Sequence, residues 1–233
     1  MKVGIMQPYL FPYIGYFQLI KHVDKFVIYD NIEYTKKGWI NRNRILFNNK
    51  DEYFTVPLKK DSDYLAINER SLAENRTKAL QKIVNRLEAT YRKAPYFEVV
   101  FPLIKSIFLN EEYNLFNYLK ASLTSVLDYL EIRTELVVAS EIPIDHNLKS
   151  QDKVIAICKG LGATEYINPI GGTSLYSKET FSDIGLRLYF LKSEMIEYPQ
   201  LENEFIPWLS IIDVMMFNSK ETINEYLTRY DLI

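Results

Sequence analysis

The chain has 233 residues, of which 48% are hydrophobic and 25% charged; these proportions exclude a disordered or coiled-coil protein. One Cys and two His leave no internal disulfide and too few soft ligands for an ordinary zinc site, though a Mg²⁺ held by carboxylates stays open. The formal charge of −2 is uneven: residues 1–50 carry 8 Lys/Arg against 3 Asp/Glu, leaving 20 against 27 for the remainder. A locally basic start points to a small anionic ligand rather than duplex nucleic acid. Tyrosine is abundant (18) and glycine scarce (8).

Residues 3–6 read as a buried strand that stops at Gln7-Pro8, since proline cannot donate to a sheet ladder. Ile14, Phe17 and Ile20 set one apolar stripe for a helix over 12–22, and 25–30 reads as a second strand. Strand, helix and strand in about 30 residues make a βαβ unit, which seeds a parallel sheet. The proline and glutamine interruptions before residue 20, and the absence of any long apolar run, argue against a leader peptide or membrane span. A cytoplasmic protein is expected.

Short strands follow at 44–47 and 53–58, and then three helices at 75–93, 97–108 and 113–130. Three helices without a strand read as an insertion or cap, spanning about 72–132. The remainder alternates again: strand 135–139, helix 152–161, strand 165–168, helix 178–184, strand 186–191, and helices at 210–217 and 221–230. The expected class is α/β, a mostly parallel sheet with flanking helices (a Rossmann-like or HUP-like core), folded as a single domain over 1–233.

Ligands of open α/β sheets sit beyond the carboxyl ends of the strands. That rule singles out Gln7, with Tyr13, Gly15 and Tyr16, after the first strand, and Asp30 after the second. Gly15 near the helix start would let a backbone or ligand come close, and amides exposed there favour a phosphate or carboxylate. Tyr13-Ile14-Gly15-Tyr16 occupies the place of the His-x-Gly-His signature of nucleotidylyltransferases but lacks both histidines. In the basic segment, Lys36, Lys37, Arg42 and Arg44 suit a diphosphate, and Tyr34 and Trp39 suit stacking on a base or sugar. Asn41 and Asn43 alternate with the arginines, so in a strand the two pairs face opposite sides. Gly171, Gly172 and Tyr176 follow a strand end, where two glycines form either an anion-binding nest or a plain turn. Asp213, in apolar surroundings, is a candidate general base, although Ser210 and Asp213 also have capping spacing. His146 is the other candidate base, whereas Cys158 reads as core.

Met6-Gln-Pro-Tyr, Pro12-Tyr-Ile-Gly-Tyr-Phe17 and Tyr34-Thr-Lys-Lys-Gly-Trp-Ile-Asn-Arg-Asn-Arg44 together resemble the WbqC-like protein family. Leu161-Gly-Ala-Thr-Glu-Tyr-Ile-Asn168, Gly171-Gly172 and Leu209-Ser-Ile-Ile-Asp213 extend the likeness along the chain. The resemblance implies work on a nucleotide-activated amino sugar in O-antigen synthesis. Its preferred form is transfer of an acyl or aminoacyl (glycyl) group to the sugar amine. Gln7 and Asp30 would lie near the acceptor, and Asp213 or His146 would take the amine proton. No cofactor, acyl donor or oligomeric state is readable. A ligase, a nucleotidyltransferase, or a binding protein without turnover remains the alternative.

Overall fold

The computed structural model describes residues 1–201 and 204–233. β1 (Lys2–Met6), α1 (Ile14–His22) and β2 (Lys25–Ile28) form the expected βαβ unit, with Val3 opposite Lys25 and Met6 opposite Ile28 in parallel register. A hairpin follows, β3 (Arg42–Phe47) and β4 (Lys50–Thr55), closed by the pair Phe47–Lys50. Asn48 and Asn49 turn it at φ 49° and 62°. Two left-handed residues are what a two-residue hairpin turn needs, and asparagine tolerates them. This turn starts β4 three residues before the strand expected at 53–58.

Next come α2 (Thr77–Tyr91), α3 (Phe97–Phe108) and α4 (Leu115–Tyr129). On α2, Leu80, Ile83, Val84, Leu87 and Tyr91 are buried as one stripe. Asn114 caps α4 by accepting from the Asn117 amide at 3.1 Å. α3 packs against both α2 and α4, and also against a helix near the carboxyl end of the chain, Ile211–Phe217.

The sheet then resumes with β5 (Glu135–Val138), α5 (Ser150–Gly160), β6 (Glu165–Pro169), α6 (Lys178–Asp183) and β7 (Arg187–Ser193). The chain ends in α7 (Ile211–Phe217), α8 (Lys220–Tyr226) and β8 (Tyr230–Leu232). The strand order is β5-β2-β1-β6-β7-β8, parallel throughout except for β8, which runs antiparallel to β7 at the edge. Tyr230, expected at the end of a helix, belongs to this edge strand instead.

Both faces of the sheet are covered, as a parallel sheet requires. Phe26, Ile28 and Ile167 join a large core with α1, the three inserted helices and α7. Val3, Val27, Tyr166 and Leu188 point the other way, into a smaller core with α5 and α6. Cys158 lies in that smaller core, where burial pushes its thiol up to about 12. None of the helices of the described residues is long and apolar enough to cross a membrane.

Candidate functional site

The order of strands reverses between β1 and β6, and such a switch opens a crevice at the strand carboxyl ends. A cavity of about 370 Å³ lies there. Its walls come from Met6 at the end of β1 and Gln7 just after it, Tyr9, Tyr29 and Ile32 after β2, Asn168 at the end of β6, and Gly171 and Tyr176 after it. Among the described residues, neither Gln7 nor Asn168 spends its side-chain amide on a hydrogen bond, so both remain available to a ligand. Burial raises the phenols of Tyr9 and Tyr176 and takes Tyr29 to about 12, so all three stay neutral hydrogen-bonding groups. Ile170–Gly172 form a 3-10 turn. Gly171 opens onto free space, whereas a Cβ at Gly172 would come within 2.2 Å of Asn168 Nδ2.

The loop from β1 to α1 is clamped rather than open. Asn43 Nδ2 donates to the carbonyls of Leu10 and Phe11, and Ser210 Oγ also donates to Phe11. These bonds hold Phe11 at φ 46°. Tyr16 is buried and donates its hydroxyl to the Gln7 carbonyl at 2.9 Å. Every residue of the first turn of α1 is buried, and the space over Gly15 is filled by the Tyr13 ring and Ser193. Gly15 therefore admits a tyrosine of its own chain, not a ligand.

The basic segment divides as strand alternation requires. Asn41 and Asn43 turn inward: Asn41 donates to the Val56 carbonyl and accepts from Tyr34 Oη at 2.7 Å. Arg42 and Arg44 turn outward over the Trp39 ring, at 5.8 and 5.6 Å. Arg42 donates to the carbonyls of Lys37 and Gly38, and Arg44 pairs with Asp51 at 2.8 Å. Trp39, Arg44, Tyr9, Tyr13 and Trp208 line an aromatic cleft of about 180 Å³, and Tyr9 is shared with the switch cavity. Lys36 instead pairs with Asp63 on a separate groove, and Lys37 is exposed.

The four residues expected around the reacting groups, Gln7 and Asp30 near the acceptor and Asp213 or His146 as base, do not come together. Asp30 is buried and accepts from Asn68 Nδ2, Ser140 N and Ser140 Oγ, joining the ends of β2 and β5. His146 is exposed, with Nδ1 at 2.9 Å from Asn31 Nδ2 and Nε2 at 3.0 Å from the Ile142 carbonyl. Asp213 is 0% exposed and accepts from Tyr91, Tyr198 and Gln200. Its carboxylate turns into the core rather than back to cap its own helix; burial raises it to about 6 despite those donors. Of the four, only Gln7 lines the switch cavity.

Sequence reasoning passed over Lys153. It is buried on α5, with Nζ 3.3 Å from the Asn31 carbonyl and 5.2 Å from the centre of the Tyr29 ring, and burial lowers its pKa. Its spacing on an ordinary amphipathic helix offered no signal. Asn168 could have been found, since it ends a strand beside the glycine pair. Among the described residues, no three His, Cys, Asp or Glu side chains gather as a metal-holding group.

The model of the WbqC-like protein family matches residues 7–225. Uncharacterized protein Rv1507c of Mycobacterium tuberculosis is 29% identical over 228 residues, covering 97% of each chain. No solved structure matches. The family match includes the loop after β1, the basic segment and the turn after β6, and the chain belongs to the WbqC-like protein family.

Proposed function

We propose that the protein is a transferase of bacterial surface-polysaccharide (O-antigen) biosynthesis. It adds an acyl or aminoacyl group, such as glycyl, to the amine of a nucleotide-activated amino sugar. The observation that carries this reading is the cavity at the sheet's switch point beside the cleft of Trp39, Arg44 and Trp208, with Tyr9 lining both. Gln7 and Asn168 supply amides for sugar hydroxyls in the cavity. The indoles supply stacking for a base, and Arg44 supplies charge for a phosphate. In the reaction the neutral amine attacks the acyl carbonyl, the donor's leaving group departs, and the nitrogen gives up its proton. Asp213 is enclosed in the core. In this reading the proton acceptor is therefore His146, whose Nδ1 sits beside the cavity wall at Ile32 and gives up its contact with Asn31 to take the proton.

A second reading has an observation of its own. Among the described residues, the cavity wall includes no carboxylate, imidazole or ammonium, which suits a protein that binds a nucleotide sugar without turning it over. A thermal-shift screen of nucleotides and nucleotide sugars tests what both readings share. A ligand at 100 times its Kd adds about 2.7 kcal/mol, which is roughly 5–10 °C for a chain of this size. No shift with any of them refutes the substrate class. Acyl transfer that persists in His146→Ala would remove the histidine from the mechanism, and binding without transfer by the wild type would favour the second reading.

A further inference from the structure

A groove of about 510 Å³ lies apart from the switch cavity, between Tyr34 and Lys36 on one side and residues 55–63 on the other. Backbone pairing builds it. Tyr34 N donates to the Leu65 carbonyl and Ile67 N to the Ile32 carbonyl, and a 3-10 turn at Ile67–Glu69 then delivers Arg70 to the groove wall.

Arg70 is 4% exposed. Its guanidinium lies 4.4 Å from the centre of the Tyr34 ring, one Nη donates to the Ser62 carbonyl at 2.7 Å, and Nε is buried without a partner. Among the described residues no carboxylate pairs with it. Arg76 makes a useful contrast. It is equally buried, but its donors go to the carbonyls of Ala73, Glu111 and Glu112, as expected of an arginine that only holds the fold. Asp63, on the same groove, feels the Arg70 charge but is not bonded to it and is held by Lys36, so the buried Nε donor stays unfilled, which is costly unless a ligand joins it. The rim carries Lys59 and Lys60, both exposed and without ion-pair partners among the described residues. Asp61 and Asp63 are also on the rim, and Asp63 is engaged by Lys36 at 2.7 Å.

We propose that this groove binds a phosphate-bearing small molecule, with Arg70 as the deep contact and Lys59 and Lys60 on the rim. A guanidinium offers paired donors to phosphate oxygens, and two flexible ammonium groups complete a site for more than one negative charge. The site is independent of the ligand assigned to the switch cavity. In a two-substrate reaction it would hold the second, phosphorylated partner.

The test is calorimetric titration of the full chain with inorganic pyrophosphate at low ionic strength. The wild type is expected to bind saturably, Arg70→Gln to lose binding, and Lys59→Gln/Lys60→Gln to weaken it at least tenfold. Gly171→Leu, which narrows the switch cavity, is expected to leave it unchanged. Should Arg70→Gln fail to fold, the exposed lysine pair decides alone. Absence of saturable binding overturns the proposal. So does wild-type affinity in the lysine variant, or loss of binding in Gly171→Leu, which would move the pyrophosphate to the switch cavity.

Discussion

The phenol of Tyr91 donates a 2.8 Å hydrogen bond to Oδ2 of Asp213, 122 residues further along the chain. The same phenol accepts from the Leu46 amide at 3.1 Å, so one hydroxyl ties the end of α2 to β3 and α7. Tyr198 and Gln200 donate to the other carboxylate oxygen, both at 2.7 Å. A charge enclosed this way shapes how stability follows pH.

The Asp213 carboxyl titrates at about 6 in the folded chain, above its ordinary 3.8. A raised carboxyl contributes most stability below its unfolded pKa and loses that contribution as pH rises through the folded one. Wild-type stability relative to Asp213→Asn should therefore fall between about pH 4 and pH 6, by at most roughly 3 kcal/mol. Urea midpoints of both proteins across that range check it. A difference that stays flat refutes the assignment.

Gly171 and Gly172 are neighbours with opposite surroundings. Alanine at 171 meets nothing within 4 Å and is expected to change stability by less than about 0.5 kcal/mol. Alanine at 172 would meet Asn168 Nδ2 at 2.2 Å, so that unbonded side-chain amide must swing aside in the cavity wall, at a cost of about 1 kcal/mol or less. Thermal unfolding of the two variants side by side measures the contrast, and nucleotide-sugar affinity should fall only in Gly172→Ala.

Asn43→Ala is expected to destabilise the protein by about 2–4 kcal/mol, because the buried carbonyls of Leu10 and Phe11 lose a donor. A lower urea midpoint with an unchanged slope is the expected result. Near-wild-type stability would mean that Ser210 alone can hold the loop.

Both tryptophans of the chain, Trp39 and Trp208, line the aromatic cleft, and they are 36% and 48% exposed. Intrinsic fluorescence therefore reports on the cleft directly. A nucleotide sugar whose base stacks there should quench it, and Trp208→Leu should lower affinity about 5- to 150-fold, the equivalent of 1–3 kcal/mol per stacked base. Binding without any fluorescence change would place the base elsewhere.

Much of the fold was legible because it is written in short-range patterns. The buried stripe of α2 at Leu80, Ile83, Val84 and Leu87, and the apolar runs of β1 and β2, each show within a single element. The alternation of Asn41, Arg42, Asn43 and Arg44 was enough to separate an inward pair from an outward pair. Less legible was the hairpin register, since Asn48-Asn49 is not the Asn-Gly pair that usually marks such a turn. Edge strand β8 was missed because three residues after a helix have too little pattern to mark a change of structure.

Residue type and spacing thus determined the alternating α/β elements and the family, and placed Gln7, Gly171 and Gly172 at strand ends, where they line one cavity. Tertiary structure decided which polar groups are free to use it. It enclosed Asp213 with Tyr91, spent Asp30 on Ser140 and Asn68, and gave the room over Gly15 to Tyr13. It also left Arg70 buried beside a groove with a donor unfilled. The physical reason is range. Periodicity acts over one or two turns of chain, whereas desolvation and hydrogen-bond partnership depend on what residues more than a hundred positions away bring to the same place.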